Sequence, residues 1–299
     1  MKKFLALSLA TLMALSLVAC GGSSSSAAPA SSTPAASSAA ASSAASSSAA
    51  VPAGKLDEHT VEAIKAKGVL TIATESQYAP FAFKDLDGNI IGLEPKLMQA
   101  LADDLGVKLE IMDIEFTAVI PAVQSGAADI AMAGLTPTAE RKETVDMSDF
   151  YNNGGQAMLV KATDIDKYTD AASLKDLPIA AQKGALQQTI AESQFADSKL
   201  TLLPKVPQAV QELKAGNVVA VLVDAISAEQ YVKQNPDLAV AKVEVVVDPT
   251  EAGSSAAVMK GNTDLMDYVN AEIKKYKDSG DLDKWFVEAK AQAEEMGLD

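Results

Sequence analysis

Two periods alternate along most of this chain. Over 94–105, apolar side chains fall at Leu97, Met98, Leu101 and Leu105, a stripe at helical spacing that stops at Gly106. Short apolar runs on either side, at 69–73 and 107–114, have the length of strands. A short helix over 118–124, stopped near Gly126, and a strand over 129–133 follow. The order then repeats as strand 179–182, helix 186–195, strand 200–203, helix 207–215 and strand 218–223. Two longer helices, 264–277 and 282–295, finish the chain. Strands alternating with helices predict an α/β fold, with parallel-rich sheets covered by helices on both faces.

The pattern carries an internal echo. Residues 122–134 and 212–224 each read as a helix, a turn glycine (Gly126, Gly216) and a buried strand. In each, a polar candidate stands eight residues beyond the glycine, at Gly134 and at Asp224. Ligands of open α/β sheets bind at such strand ends. Two similar halves, each presenting one, suggest a ligand held between them.

The N-terminal stretch differs in kind. Lys2 and Lys3 precede an apolar run over 4–19 that is too short and wrongly flanked for a comfortable membrane span. Residues 1–19 therefore read as a signal peptide. Its ending, Leu17-Val18-Ala19-Cys20, is similar to a bacterial lipobox, in which the cysteine is lipidated and becomes the new N-terminus. From Cys20 to residue 54 the chain is nearly all Ser, Ala, Gly and Pro, which cannot bury enough apolar surface to offset its ordering entropy. This segment is expected to be a disordered tether with a reach of roughly 30–35 Å.

Composition narrows the chemistry. The net charge of −15 argues against nucleic acid and against electrostatic docking on anionic lipid. Cys20 is the only cysteine, so the body holds no internal disulfide, no catalytic thiol and no thiolate metal site. His59 is the only histidine, expected on the first helix near the tether and exposed, which excludes a histidine-based triad in the body. Of the 25 basic residues a single one, Arg141, is arginine. A flat, always-charged fork can meet a carboxylate with two parallel hydrogen bonds, which lysine cannot do. Gly134, Thr136 and Thr138 stand just before it and can line an anion site.

From residue 55 onward the chain resembles the bacterial extracellular solute-binding proteins of family 3, which bind amino acids for ATP-driven importers. The resemblance rests on the order and spacing of several stretches. They include 68–74, Tyr78-Ala79-Pro80-Phe81, Ile91-Gly92-Leu93-Glu94 and 120–126 with Asp129. Ala133-Gly134-Leu135-Thr136 through Glu140-Arg141, 146–151, Gln182-Lys183-Gly184 and Ala215-Gly216 with Asp224 complete the set.

The resemblance implies a two-lobe, periplasmic-binding-protein-like (type II) fold. Lobe 1 would be 55–157 plus 254–299 and lobe 2 would be 158–253, with a hinge between them. It also implies roles. Arg141 would take the ligand carboxylate, helped by the Thr136 hydroxyl and the Gly134 and Thr136 amides. Asp224 would take the ammonium. Glu75 would face the ligand side chain, with Tyr78 and Phe116 as aromatic walls. Gly184, Leu186 and Gln187 would contribute from the second lobe. The implied ligand is a cationic or polar L-amino acid, handed to an ABC permease by hinge closure. The implied location is the outer face of the cytoplasmic membrane, as a lipid-anchored monomer with no cofactor and no metal.

The chain departs from the family pattern at Thr117, Ala133, Ala185, Leu186 and Val219, so the site is poorer in hydroxyls than the pattern implies. Two other functions fit the same scaffold: a dehydratase acting on prephenate-like acids, and a ligand sensor for a membrane signalling partner.

Overall fold

The computed structural model describes residues 54–297. The signal peptide 1–19, the Cys20 lipidation site and all of the expected tether except Gly54 lie outside the described residues. Gly54 itself is docked, its amide donating to Gln124 O at 2.9 Å.

Helix α1 (Val61–Lys67) is capped by the Thr60 hydroxyl and leads into β1 (Val69–Thr74). A small antiparallel sheet follows, of β2 (Gln77–Tyr78), β3 (Ala82–Lys84) and β4 (Ile90–Ile91). Then come α2 (Leu93–Leu105), β5 (Lys108–Asp113), α3 (Phe116–Gln124), β6 (Ile130–Ala131), α4 (Ala139–Thr144) and β7 (Val145–Asn153). The middle of the chain forms β8 (Gln156–Lys161), β9 (Pro178–Gln182), α5 (Leu186–Gln194), β10 (Lys199–Leu203) and α6 (Val206–Ala215). It continues through β11 (Ala220–Asp224), α7 (Ala225–Gln234) and β12 (Leu238–Val240). The chain closes with β13 (Gly253–Met259), α8 (Thr263–Asp278) and α9 (Asp281–Met296).

Two five-stranded sheets organise these elements, in the orders β5-β1-β6-β13-β7 and β10-β9-β11-β8-β12. In the first, β1 runs parallel to β5 and β6, while β13 is antiparallel to β6 and β7. In the second, β9 runs parallel to β10 and β11, while β8 is antiparallel to β11 and β12. Each sheet thus pairs a parallel βαβ core with one antiparallel strand next to a crossing of the chain. The stripe seen in the sequence is the buried face of α2, where Leu97, Met98 and Leu101 are fully enclosed. Burying each stabilises the fold by about 1.5–3 kcal/mol.

The molecule is a two-lobe α/β protein. The chain leaves the first sheet after Asn153 and enters the second at Gln156, then returns to the first at Gly253. Gln156 and Ala157 pair with Asp224 and Val223 in the second sheet, and Gly253 pairs with Asn153 in the first. The expected 157/158 and 253/254 borders fall inside β8 and β13 respectively. Backbone pairing runs on into both crossings.

Candidate functional site

Strand ends from both sheets converge on one cleft. Glu75 follows the last residue of β1, and the segment after β6 carries Gly134 and Thr136. Asp224 ends β11, and Gln182 ends β9 just before α5. This is the topological position at which open α/β sheets bind ligands. Glu75, Tyr78, Phe116, Gly134, Thr136, Arg141, Leu186, Gln187 and Asp224 all line the same space. The cleft encloses about 550 Å³ between protein atoms, open mouth included. Gly184 stands at its rim, in the adjoining groove beside Thr117.

Arg141 is placed by α4. The Thr138 hydroxyl caps that helix by accepting the Arg141 amide at 3.3 Å, fixing the arginine in the first turn. Its Nη1 donates to Thr136 O at 2.8 Å and its Nη2 to Gly184 O at 3.1 Å, one partner from each side of the cleft. The guanidinium carbon lies 5.5 Å from the centre of the Phe116 ring, a cation–π contact. Burial pulls the guanidinium down to about 10, and the acids Glu140 and Glu251 oppose that shift.

Asp224 is the N-cap of α7, where its carboxylate accepts the Ser227 amide at 2.9 Å. The Tyr78 hydroxyl donates to its second oxygen from the other side of the cleft. Burial raises the Asp224 carboxyl, and the bonds from Tyr78 and Ser227 pull it back toward the ionised form. The Tyr78 ring stacks on Phe81 at 5.0 Å and lies over Gly134. Gly134 has φ +62°, and a Cβ there would fall 2.6 Å from the Tyr78 ring, so the position needs glycine for both backbone and space.

Glu75 is 4% exposed. Its Oε2 accepts from Gln182 Nε2 at 3.2 Å, while its Oε1 is buried without a hydrogen-bond partner. Burial pushes its carboxyl up to about 7, opposed by the Gln182 bond and by Lys205 and reinforced by Glu115 and Asp113. On the second lobe, Gln187 donates to Gln156 at 2.7 Å. Ala185 and Leu186 form an apolar part of the cleft wall.

The structure corrects two expectations. The Gly134 amide does not face a ligand carboxylate, because it donates to Glu94 Oε1 at 2.7 Å. His59 is neither helical nor exposed. It precedes the Thr60 cap, is 7% exposed, and its Nδ1 lies 2.7 Å from Asp129 Oδ1. Asp129 also takes Lys67 Nζ and the Thr71 amide, so this cluster fastens the start of the body to the beginning of β6. Sequence reasoning missed Asn152, Gln156 and Gln182 as lining residues. Their signal was adjacency: the first two flank the Gly154-Gly155 crossing, and Gln182 ends a strand two residues before a glycine. Among the described residues, no group of His, Cys, Asp and Glu is placed to hold a metal ion.

A cleft between two α/β lobes, lined by opposed cationic and anionic groups, defines a receptor for a small polar solute. Residues 70–288 match the bacterial extracellular solute-binding proteins, family 3, and the chain belongs to that family. Among its relatives, the arginine-binding extracellular protein ArtP of Bacillus subtilis is 33% identical over 232 residues, spanning 74% of this chain and 87% of the relative. The L-cystine-binding protein TcyJ of Escherichia coli is 28% identical over 234 residues, spanning 77% and 87%. An amino acid ABC transporter substrate-binding protein from Streptococcus pneumoniae, solved with L-arginine bound, superposes with a TM-score of 0.74 at 40% identity, covering 77% of this chain and 97% of that one.

Proposed function

We propose that this protein is the extracytoplasmic receptor of an ABC importer for a cationic amino acid, arginine foremost. The observation that carries the reading is the opposition of charge in one cleft. Arg141 stands on one lobe, Asp224 on the other, and the buried Glu75 lines the same space. An α-amino acid presents a carboxylate and an ammonium at fixed separation. Arg141 takes the carboxylate through the Nη hydrogens not used on Thr136 and Gly184, and Asp224 takes the ammonium. Each charge-assisted bond contributes about 1.5–3 kcal/mol. Glu75 and Gln182 then meet the distal end of the ligand, while Tyr78 and Phe116 flank its stem. An acidic side chain would meet repulsion from Glu75.

Because the grips come from different lobes, only the closed form satisfies both, and ligand shifts the population toward it. The Gly154-Gly155 pair and Gly253, at the two crossings, supply the backbone freedom for that motion. The closed receptor docks on its permease as a monomer, held at the outer membrane face by the lipid on Cys20. The arginine and cystine ligands of the relatives support an amino acid as the cargo.

Calorimetric titration of the purified chain with the twenty amino acids and ornithine tests this reading. Arginine, lysine or ornithine should bind tightest. Preference for glutamate or for an apolar amino acid would overturn the ligand class. Failure of every amino acid to bind, with turnover of a prephenate-type acid, would make the protein a dehydratase instead.

A further inference from the structure

Glu94 is fully buried, at 0% exposure, in the first turn of α2. The helix N-terminus does not depend on its side chain for capping. The Leu93 amide is taken by Pro80 O at 3.2 Å and the Glu94 amide by Phe81 O at 3.0 Å. The carboxylate instead reaches sideways into the wall of the cleft. Its Oε1 accepts the Gly134 amide at 2.7 Å and the hydroxyl of Tyr151. Its Oε2 is buried with no hydrogen-bond partner. Burial is the main influence on this carboxyl and pushes it up to about 7, against the opposing bonds from Tyr151 and Gly134. A buried carboxylate is costly to keep unless it does something a smaller residue cannot.

Its two partners say what that is. Gly134 begins the short segment whose other end, Thr136, is held by Arg141 Nη1 at 2.8 Å. The same glycine is the floor on which the Tyr78 ring lies. Tyr151 belongs to β7, the strand that runs into the first crossing, and β13 pairs with it at the second. The Tyr151 hydroxyl also interacts with Ser254, in β13. One carboxylate therefore joins the segment beneath the candidate ligand to both strands at the crossings.

We propose that Glu94 is a positioning residue for ligand binding: it holds the Gly134 end of the Gly134–Thr136 segment from behind while Arg141 holds the Thr136 end from the cleft, and through Tyr151 it ties that segment to the strands at the crossings. This rests on the cleft being the amino-acid site. What matters is the reach of the acceptor oxygen rather than its charge. With the acceptor withdrawn, the Gly134 amide is left buried and unbonded, the segment loosens, and both the Arg141 partner and the Tyr78 ring lose their backing.

Two variants separate reach from charge. Glu94→Asp keeps the charge and shortens the arm; Glu94→Gln keeps the arm and an acceptor oxygen but removes the charge. The measurements are calorimetric Kd for L-arginine, ligand-free Tm, and hydrogen exchange at the Gly134 amide, all on the full chain. Glu94→Asp should weaken L-arginine about tenfold and speed exchange at Gly134, while Glu94→Gln stays within about threefold of the parent in Kd. A Kd for Glu94→Asp that matches the parent would overturn the inference, whether or not Tm falls. So would a Glu94→Gln that weakens binding as much as Glu94→Asp. Should Glu94→Asp not fold, Tyr151→Phe serves in its place. It must then leave Gly134 exchange slow and shift Kd less than Arg141→Ala does, and fast exchange in Tyr151→Phe would sink the assignment to Glu94. Arg141→Ala is the control. If it leaves L-arginine binding intact, the cleft reading itself fails; if it abolishes binding while Glu94→Asp does nothing, only the Glu94 inference does.

Discussion

The Tyr78 hydroxyl donates to the Asp224 carboxylate across the cleft, joining the small sheet of the first lobe to the end of β11 in the second. The bond occupies the carboxylate that is proposed to receive the ligand ammonium. Further contacts between the same lobes include Gln182 to Glu75 at 3.2 Å, Arg141 to Gly184 O at 3.1 Å, Ser227 Oγ to Ala79 O at 3.0 Å, and Lys205 to Glu115 at 3.2 Å, with Lys233 to Glu294 at 2.6 Å and Gln234 to Ala293 O at 2.9 Å away from the cleft. The groups proposed to hold the ligand therefore also hold the lobes to each other.

Exchanging the charge at Asp224 separates these two uses. Asn is as good an N-cap as Asp, so Asp224→Asn should leave α7 and the fold intact. The ammonium then loses its ionic partner, and Kd for the amino acid should rise at least about tenfold. Tyr78→Phe keeps the ring over Gly134 and removes the competing donor, so its affinity should hold within a few-fold. Calorimetry on the two variants checks the pair. Equal losses would mean that Asp224 serves only the tyrosine.

Arg141→Lys preserves a positive charge and removes the fork. An ammonium on a flexible stem cannot hold Thr136 O, Gly184 O and a ligand carboxylate at once in one plane. Loss of one charge-assisted bond of about 1.5–3 kcal/mol predicts a Kd about 10–100 times higher. Unchanged affinity in calorimetry would remove Arg141 from the site.

The helix–glycine–strand units were legible because both periods are strong there. The stripe of α2 and the apolar runs of β1 and β11 each point to one face or to full burial. The strands at the crossings were not. β13 is built of small residues and is buried along nearly its whole length, so no period of two marks it. β7 mixes polar and apolar residues with no regular alternation. Helix α7 was missed because its first signal, the Asp224 cap, was already read as a ligand group; the structure shows that carboxylate capping the helix and lining the cleft. In the site, charge rarity singled out Arg141 and strand-end position singled out Asp224, while Glu75 was marked by the family resemblance. Glu94 carries no such mark, and Gln182 only that of ending a strand. Their importance lies in what they touch across the fold, which spacing along the chain does not encode. His59 illustrates the same gap: its partner Asp129 is 70 residues away.

His59→Ala should lower stability without touching the cleft. The substitution removes a buried side-chain bond at 2.7 Å and leaves Asp129 with Lys67 and the Thr71 amide. The expected loss is about 1–3 kcal/mol, or a few degrees in Tm for a body of this size. Thermal melts should show the drop, with the ligand Kd unchanged. An altered Kd would mean that the N-terminal fastening communicates with the cleft.

Glu75 sets the direction of the pH response. Its carboxyl is held up to about 7, chiefly by burial. A cationic side chain binds the ionised form, so affinity should improve as pH rises from 6 to 8, by at most about tenfold per unit below the midpoint, and level off above it. Glu75→Gln should flatten that profile. The effect on folding has the opposite sign. A carboxyl near 4.3 in the unfolded chain and near 7 in the folded one leaves the folded state holding the extra proton between those values. Stability from this group is thus greatest on the acid side and declines as pH climbs to about 7. Glu75→Gln should stabilise the ligand-free protein at pH 8 by about 1–3 kcal/mol and hardly at all near pH 4.5, read by melts at the two pH values. A group that weakens the fold where it is charged, yet tightens cation binding at the same pH, belongs to a site shaped by its ligand. Melts of Glu75→Gln that show no gain at pH 8 would return Glu75 to the ordinary structural carboxylates.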